Sequence, residues 1–362
     1  MRENYSGGGT AQPERRRRAA NAHAQLAHHA SQHLRVWWYL GQKWLSAQLT
    51  QPVALSAELK ARMPQRARIL ADLDELIAQD WRNIEAGDYA MPEHIVPRPL
   101  VALRRAGRYI ADLGAVDARR RAHAHDEVRH AGKGGDYPSY YLQNFHYQTD
   151  GYLSRRSAEL YDHQVEVLFG GGADAMRRQA LVPLRRALAA RGVRRATLLD
   201  LACGTGRLLR DIKRNYPLLK VTGLDLSPDY LAVAGEALAP WSGTRLIAAP
   251  AERVPLPEAS FDIVTCVYLF HELPPRVRRQ VAREMSRLLR PGGTAIFVDS
   301  IQLGDCPEFD PLLEHFPLAF HEPYFASFVK EDLAQLFAAA GLDLIDRTRA
   351  HFSTVLTLRK PA

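Results

Sequence analysis

Apolar residues recur at helical steps along the first half of the chain, and the period changes near residue 196. Leu70, Leu73, Ile77, Trp81 and Ile84 follow one another at steps of three and four, which predicts a helix over about 64–84 with Gly87 as its stop. Residues 19–49 contain no strong breaker except Gly41 and predict one long helix, its packing surface expected from Leu34, Trp37, Trp38, Leu45 and Leu49. After Pro92, Pro97 and Pro99 a third helix is expected over about 100–113. Residues 131–152 read as a loop: Gly132, Gly134, Gly135 and Pro138 break helix, and Tyr137, Tyr140, Tyr141, Phe145, Tyr147 and Tyr152 crowd behind them. Asp150 is expected to cap a helix running to about Phe169, and Gly170, Gly171 and Gly172 separate it from another over about 173–190.

From Ala196 onward, short apolar runs at 197–201, 221–224, 245–248, 263–268 and 294–298 predict strands, with helices between them near 206–216, 228–238 and 275–289. Strand-helix alternation at this spacing implies an α/β fold with a doubly wound, mostly parallel sheet whose ligand binds at the carboxyl ends of the strands. The expected organisation is a basic flexible arm at 1–18, a helical region at 19–153 and an α/β domain at 154–362, the last interrupted by an acidic, aromatic insert at 305–328.

At 362 residues, with 46% hydrophobic and 24% charged, the composition is that of a globular chain with room for two units. No run approaches the roughly 18 apolar residues of a membrane-spanning helix, and the start lacks the apolar core of a secretory signal. Cys203, Cys266 and Cys306 are odd in number and widely spaced, so a reducing, cytoplasmic setting is expected. The net charge of +8 is concentrated at the start, led by Arg15, Arg16, Arg17 and Arg18. Such a run is a solvated arm, a nucleic-acid or anionic-surface contact, or part of a targeting segment. His23, His28, His29 and His33, like His123, His125 and His130, have no carboxylate or cysteine repeating with them at ligand spacing; they read as solvated, and no metal site is expected.

The sharpest chemical signal is Leu198-Leu199-Asp200-Leu201-Ala202-Cys203-Gly204-Thr205-Gly206, an apolar strand running into a glycine turn. A dinucleotide fingerprint would place a third glycine at position 209, where this chain has Leu209, and no P-loop lysine follows. Nineteen residues beyond Gly206 the second strand ends at Asp225, whose carboxylate suits the two hydroxyls of an adenosine ribose; without ligand, that strand end is expected to face solvent. Ser227 and Pro228 form an N-cap and first-turn pair.

With these motifs, the segment from Val254 through Pro255, Leu256, Pro257 and Glu258 to Asp262, and Leu288-Leu289-Arg290-Pro291-Gly292-Gly293, residues 195–300 resemble the class I, Rossmann-like S-adenosylmethionine-dependent methyltransferases, especially the branch containing the ubiquinone and menaquinone C-methyltransferases. The resemblance implies S-adenosyl-L-methionine as cofactor, bound by Asp200, Ala202, Gly204, Gly206, Asp225, Leu226, Ala251, Glu252, Val267 and Tyr152. It also implies a seven-stranded sheet: a helix at 331–340 should precede paired strands at 342–347 and 352–358, the last antiparallel. The family usually has glycine at the position of Ala202, and often an aspartate for the adenine amino group where this chain has Pro250. The expected acceptor is a small aromatic or lipophilic molecule, with Phe145, Tyr147 and Tyr152 as a lid. His271 and His321 are the candidate bases, each with a plainer reading as a packing or surface histidine, and Cys266 is expected to pack inward. Two other functions stay open: a cofactor-binding regulatory scaffold, and a nucleic-acid methyltransferase using the basic arm. The latter is disfavoured because Cys266-Val267-Tyr268-Leu269 is not an NPPY-like tetrad. The oligomeric state is open.

Overall fold

The architecture changes where the sequence period does. The computed structural model describes residues 11–92, 99–130 and 137–362, and of residues 11–20 only the backbone; Gly132, Gly134, Gly135, Pro97 and the side chains of Arg15 to Arg18 lie outside the described residues. Helices come first: α1 (Ala11–Leu49), α2 (Ala57–Arg62), α3 (Arg66–Glu85), α4 (Pro99–Ala122), α5 (Glu127–His130), α6 (Arg155–Leu168), α7 (Ala173–Arg178) and α8 (Leu181–Arg191). The alternating part runs β1 (Thr197–Leu201), α9 (Arg207–Asn215), β2 (Lys220–Asp225), α10 (Pro228–Leu238), β3 (Thr244–Ala248), β4 (Phe261–Val267), α11 (Pro275–Leu288) and β5 (Leu289–Ser300). It ends with α12 (Asp310–Ala319), α13 (Phe325–Phe328), α14 (Leu333–Ala338), β6 (Asp343–Ala350) and β7 (Ser353–Arg359).

The seven strands lie in the order β3-β2-β1-β4-β5-β7-β6. β1 to β5 are mutually parallel, and β7 runs antiparallel between β5 and β6, as expected for the terminal pair. Alternate residues of the buried strands serve opposite faces. Leu198 and Val221 pack with Leu184, Leu209 and Ile212 of α8 and α9, while Leu199 and Val264 pack with Val281, Met285 and Phe337 of α11 and α14. Cys266 is wholly buried in the second of these layers.

Three local expectations give way. The helix expected over 173–190 is broken at Gln179 and Ala180 into α7 and α8. Asp150 does not cap α6; the cap is Ser154, whose Oγ accepts from Ser157 N at 3.1 Å, and Asp150 sits in the turn before it at φ 66°. Along α1 the inward face is not the aromatic one. Trp37 is 75% exposed, and Leu34 and Leu49 also face outward, whereas His28, Gln32, Arg35, Val36, Tyr39 and Gln42 are buried. His28, expected in solvent, therefore lies in the interior.

The reason is α3. Its apolar stripe, Leu73, Leu76 and Ile77, packs with Val36 of α1, Val165 of α6, Met176 of α7 and Ala350 of β6. Beside that stripe Asp80 is wholly buried. It accepts from Arg178 Nε and Nη2 (3.0 and 2.7 Å), Tyr89 OH (2.9 Å) and Gln32 Nε2 (3.2 Å), and lies 2.9 Å from His28 Nε2. One turn pair earlier, Asp72 takes Arg349 Nη2 at 2.7 Å and His351 Nδ1 at 2.7 Å from the β6–β7 hairpin. The helical region is thus joined to the sheet through a shared apolar cluster and the buried Asp72, and to α7 through the buried Asp80.

Candidate active site

A cleft opens at the carboxyl ends of β1, β2 and β4, where the strand order reverses, as doubly wound sheets require. Its floor is the turn after β1. Ala202 and Gly204 have φ of 56° and 54°, in the left-handed region that a Cβ disfavours. A Cβ on Gly204 would meet no protein atom within 4 Å and would project into the open cleft, so the turn is a cradle for a ligand. Gly223 is needed for a different reason: a Cβ there would lie 2.8 Å from both Leu209 Cδ1 and Cys203 Sγ. Leu209, at the position of the fingerprint's third glycine, packs its side chain between α9 and the sheet over Gly223, so the close helix–strand approach of a dinucleotide fold is not made that way here.

Ala202 holds its conformation against its own side chain, and Ala202→Gly is expected to stabilise the protein by about 1 kcal/mol. A thermal unfolding midpoint equal to or below the wild-type value would count against that strain.

Asp225 ends β2, half-buried rather than solvent-facing. Its Oδ2 accepts from Gly204 N at 2.8 Å and its Oδ1 from Ser227 N at 2.9 Å, so it ties the two turns together. Burial raises its pKa, and the backbone N–H groups partly offset that. The carboxylate borders the cleft and retains acceptor capacity beyond these backbone bonds. Asp200, buried beneath, accepts from Thr265 Oγ1 at 2.6 Å, and burial raises its pKa to about 7.

The cleft also receives Ala251, Glu252, Leu226, Val267, Tyr140, Tyr141, Phe145, Tyr152, Tyr161 and Tyr230. Phe145 stacks on Tyr152 with centroids 5.4 Å apart, and Tyr152 meets Tyr161 and Tyr230 edge-on. This aromatic strap is fastened at three points: Ser227 Oγ donates to Tyr152 O (2.8 Å), Tyr140 OH donates to Glu252 Oε1 (2.8 Å), and Tyr152 OH donates to Glu272 Oε1. Ser227 also caps α10 through Tyr230 N.

A second, largely apolar cavity of about 360 Å³ shares Tyr161 and Tyr268 with the cleft and is walled by Phe316, Phe320, Phe325 and Phe352. At its polar end stands His271, whose Nδ1 lies 2.6 Å from Asp299 Oδ1. Asp299 is fully buried and holds Phe270 N through its other oxygen at 2.8 Å, so the ring is oriented with Nδ1 as donor, and Nε2 lies 3.9 Å from Glu272 Oε1 with no hydrogen bond. Burial opposes charge on His271, but Asp299, Glu272 and Glu322 outweigh it and raise the pKa to about 9. A cation in the adjoining cleft acts in the opposite direction and favours the neutral ring.

Of the residues singled out by sequence, Asp200, Ala202, Gly204, Asp225, Leu226, Ala251, Glu252, Val267 and Tyr152 all line the cleft, and His271 lines the adjoining cavity. Gly206 lies behind the turn against Ala234. His321 is in neither wall: its Nε2 bonds Gln143 Oε1 at 2.7 Å and its ring stacks on His125 at 4.3 Å, and burial, with His125, lowers its pKa to about 4. Tyr147 is buried away from the cleft beside α4. Tyr140, Tyr161, Tyr230 and Asp299 were not singled out. Tyr140 belonged to the aromatic crowd before the sheet, but nothing local marked Asp299 as the partner of His271.

A family model described as a methyltransferase domain matches residues 198–293 of the chain, the segment that builds the glycine turn, Asp225 and β4. The chain carries a class I S-adenosylmethionine-dependent methyltransferase domain. The domain is similar to the demethylmenaquinone methyltransferase of Thermotoga maritima, 33% identical over 147 residues, covering 41% of this chain and 59% of the relative. A relative of the same name from Staphylococcus aureus (strain JH9) is 32% identical over 120 residues, covering 33% of this chain and 49% of the relative. The chain spans about half to three-fifths of the length of these curated relatives. Among solved structures, the Burkholderia thailandensis 1,6-didemethyltoxoflavin-N1-methyltransferase is 22% identical, with TM-score 0.41, over 57% of this chain and 88% of that one. The Bradyrhizobium japonicum N-methyltransferase NodS is 18% identical, with TM-score 0.39, over 51% and 87%. The cofactor of a domain of this class is S-adenosyl-L-methionine. The open cradle at Gly204 and the cleft-lining carboxylate of Asp225 in the methyltransferase domain are compatible with its methionine and ribose parts.

Asp225→Ala removes an ionised acceptor, a class of bond contributing about 1.5 to 3 kcal/mol, so affinity for the cofactor should fall roughly ten- to a hundredfold. Because Gly204 N and Ser227 N lose their acceptor as well, a stability loss of about 1 kcal/mol should accompany it. Unchanged affinity by calorimetry would remove Asp225 from the cofactor site.

Proposed function

We propose that the protein transfers a methyl group from S-adenosylmethionine to a small aromatic or lipophilic acceptor seated in the apolar cavity, with His271 taking the acceptor's proton. The observation that supports this most is the junction of cleft and cavity. Tyr161 and Tyr268 are common to both walls, and the oriented His271–Asp299 pair lines a largely apolar space that also receives Lys43, His146 and His315. The name of the demethylmenaquinone-methylating relatives points the same way, toward a ring acceptor of low polarity.

When bound, the cofactor supplies a methyl group already activated as a sulfonium. What remains for the chain is alignment and exclusion of water. Asp225 and the Gly204 turn hold the nucleoside end, and Tyr141, Phe145 and Tyr152 cover the cleft with aromatic faces, which suit a cation. The phenylalanines of α12 and α13 hold a flat acceptor. Asp299 keeps His271 Nδ1–H in place, so that Nε2 in the neutral ring receives the acceptor's proton.

The test uses S-adenosylmethionine with a labelled methyl group, the full chain, and two acceptor sets: hydroxylated naphthoquinols and benzoquinols, and polar amines and amino acids. Label is expected in the first set only. Transfer confined to the second set, or cofactor binding with no transfer to either, would overturn the reading.

A further inference from the structure

Three residues far apart in the chain converge at the polar end of the cavity: His146, in the turn of the aromatic strap; Glu272, just after β4; and Glu322, in the segment between α12 and α13. One ligand-capable atom from each lies within 4.8 Å of the others. Glu322 is the unusual member. Its side chain is completely buried, and neither carboxylate oxygen accepts a hydrogen bond. His146 Nε2 lies 3.1 Å from Glu322 Oε1 without hydrogen-bond alignment. Glu272 has one oxygen satisfied by Tyr152 OH and the rest of its lone pairs available. A buried carboxylate without a donor does not stay ionised by itself: it takes up a proton or meets a cation. Glu322 lines neither the cleft nor the cavity, so an organic molecule filling those spaces does not touch it.

We propose that His146, Glu272 and Glu322 bind one divalent first-row transition-metal ion, of the Zn²⁺ or Mn²⁺ class, in the wall between the cofactor cleft and the apolar cavity. One imidazole nitrogen and two carboxylate oxygens form a borderline-to-hard donor set that suits these ions. Ligand bonds of about 2.0 to 2.2 Å place neighbouring donor atoms about 3 to 3.5 Å apart, close to the His146–Glu322 separation. Three protein ligands leave a fourth position for an oxygen ligand. Glu272 borders the cleft and His146 the cavity, so the cluster lies next to both spaces. Nothing in the spacing of residues 146, 272 and 322 announces the site.

The experiment reads metal uptake by the chelator-treated full chain, which keeps it separate from the methyltransferase reading: failure here leaves cofactor binding and transfer untouched. Zn²⁺ and Mn²⁺ are titrated singly, with bound metal measured after dialysis and Mn²⁺ followed by the loss of its free-ion resonance. One ion per chain is expected, with a raised thermal midpoint. Glu322→Gln, which keeps the shape, should weaken binding by about a hundredfold or more, beyond the effect of losing an outer partner. Its metal-free midpoint should equal or exceed the wild-type value. If that variant does not fold, His146→Gln carries the same measurement. No stoichiometric uptake by the wild type, or undiminished uptake by the folded variant, would overturn the site and leave only surface histidines as the binders.

Discussion

Substituting glutamine for His271 is expected to lower kcat on an identified acceptor by a hundred- to ten-thousandfold, the usual contribution of a positioned proton acceptor. The affinity for S-adenosylmethionine should stay within about threefold, because the contacts proposed for the cofactor belong to the Gly204 turn, Asp225 and the strap, which line the cleft, whereas His271 lines the other cavity. Asp299→Asn should lower kcat in the same direction through a different route. The buried amide can present its N–H₂ to His271 Nδ1 and so favour the wrong tautomer, while still able to accept from Phe270 N through its oxygen. The two changes made together should cost little more than His271→Gln alone, since Asp299 acts through the ring it orients. Stopped-flow or quench-flow measurement of the transfer step is the check. A His271→Gln enzyme within threefold of the wild-type kcat would mean that the acceptor arrives already deprotonated or gives its proton to another group.

The second large effect is on stability. Asp80→Ala should destabilise the protein by about 3 to 5 kcal/mol, because Arg178 would keep its charge in the interior with no carboxylate opposite it. Tyr89 and Gln32 lose the same acceptor. Urea denaturation reads this as a lowered midpoint, and a shift worth under about 1 kcal/mol would show that water replaces the carboxylate there. Replacing Asp80 and Arg178 together by apolar residues should cost much less than Asp80→Ala alone, since no unpaired charge remains. The acid side follows from the same contacts. Burial by itself would raise the Asp80 pKa, but the charge and hydrogen bonds of Arg178, with His28, hold it well below the usual carboxylate range. A carboxylate depressed on folding stabilises fully above its unfolded pKa of about 4 and progressively less as pH falls below it. The wild-type advantage over Asp80→Ala should therefore shrink in acid below about pH 4 and stay constant above about pH 5.

Part of the site was legible because its signal is local. Strand, glycine turn and helix follow one another within nine residues, and Asp225 sits where the next strand must end. Those residues meet through neighbouring parallel strands, whose adjacency is nearly implied by alternation. The aromatic strap was visible as a cluster, but which rings face the cleft was not: Phe145 and Tyr152 do, and Tyr147, two residues from Phe145, does not. His321 looked as suitable as His271 on position and chemistry. Only packing separates them, since His321 is taken up by Gln143 and His125 while His271 faces the cavity.

By itself the sequence determined the period of each segment, and with it the α/β class, the five strands from 197 to 298 and the cradle at Gly204, because each depends on residues close together in the chain; the seventh strand and the terminal antiparallel pair were implied by the family resemblance. Tertiary structure decided which face of α1 turns inward. Periodicity favours Leu34 and Trp37, yet the buried face carries His28, Gln32 and Arg35, because Asp80, Asp174 and Glu166 supply partners for them. A polar face is buried only when another element brings complementary groups, and that element lies tens to more than a hundred residues away. The same holds for His271 with Asp299, and for His146 with Glu272 and Glu322. Their chemistry comes from distances across the fold, which a one-dimensional pattern of residues does not contain.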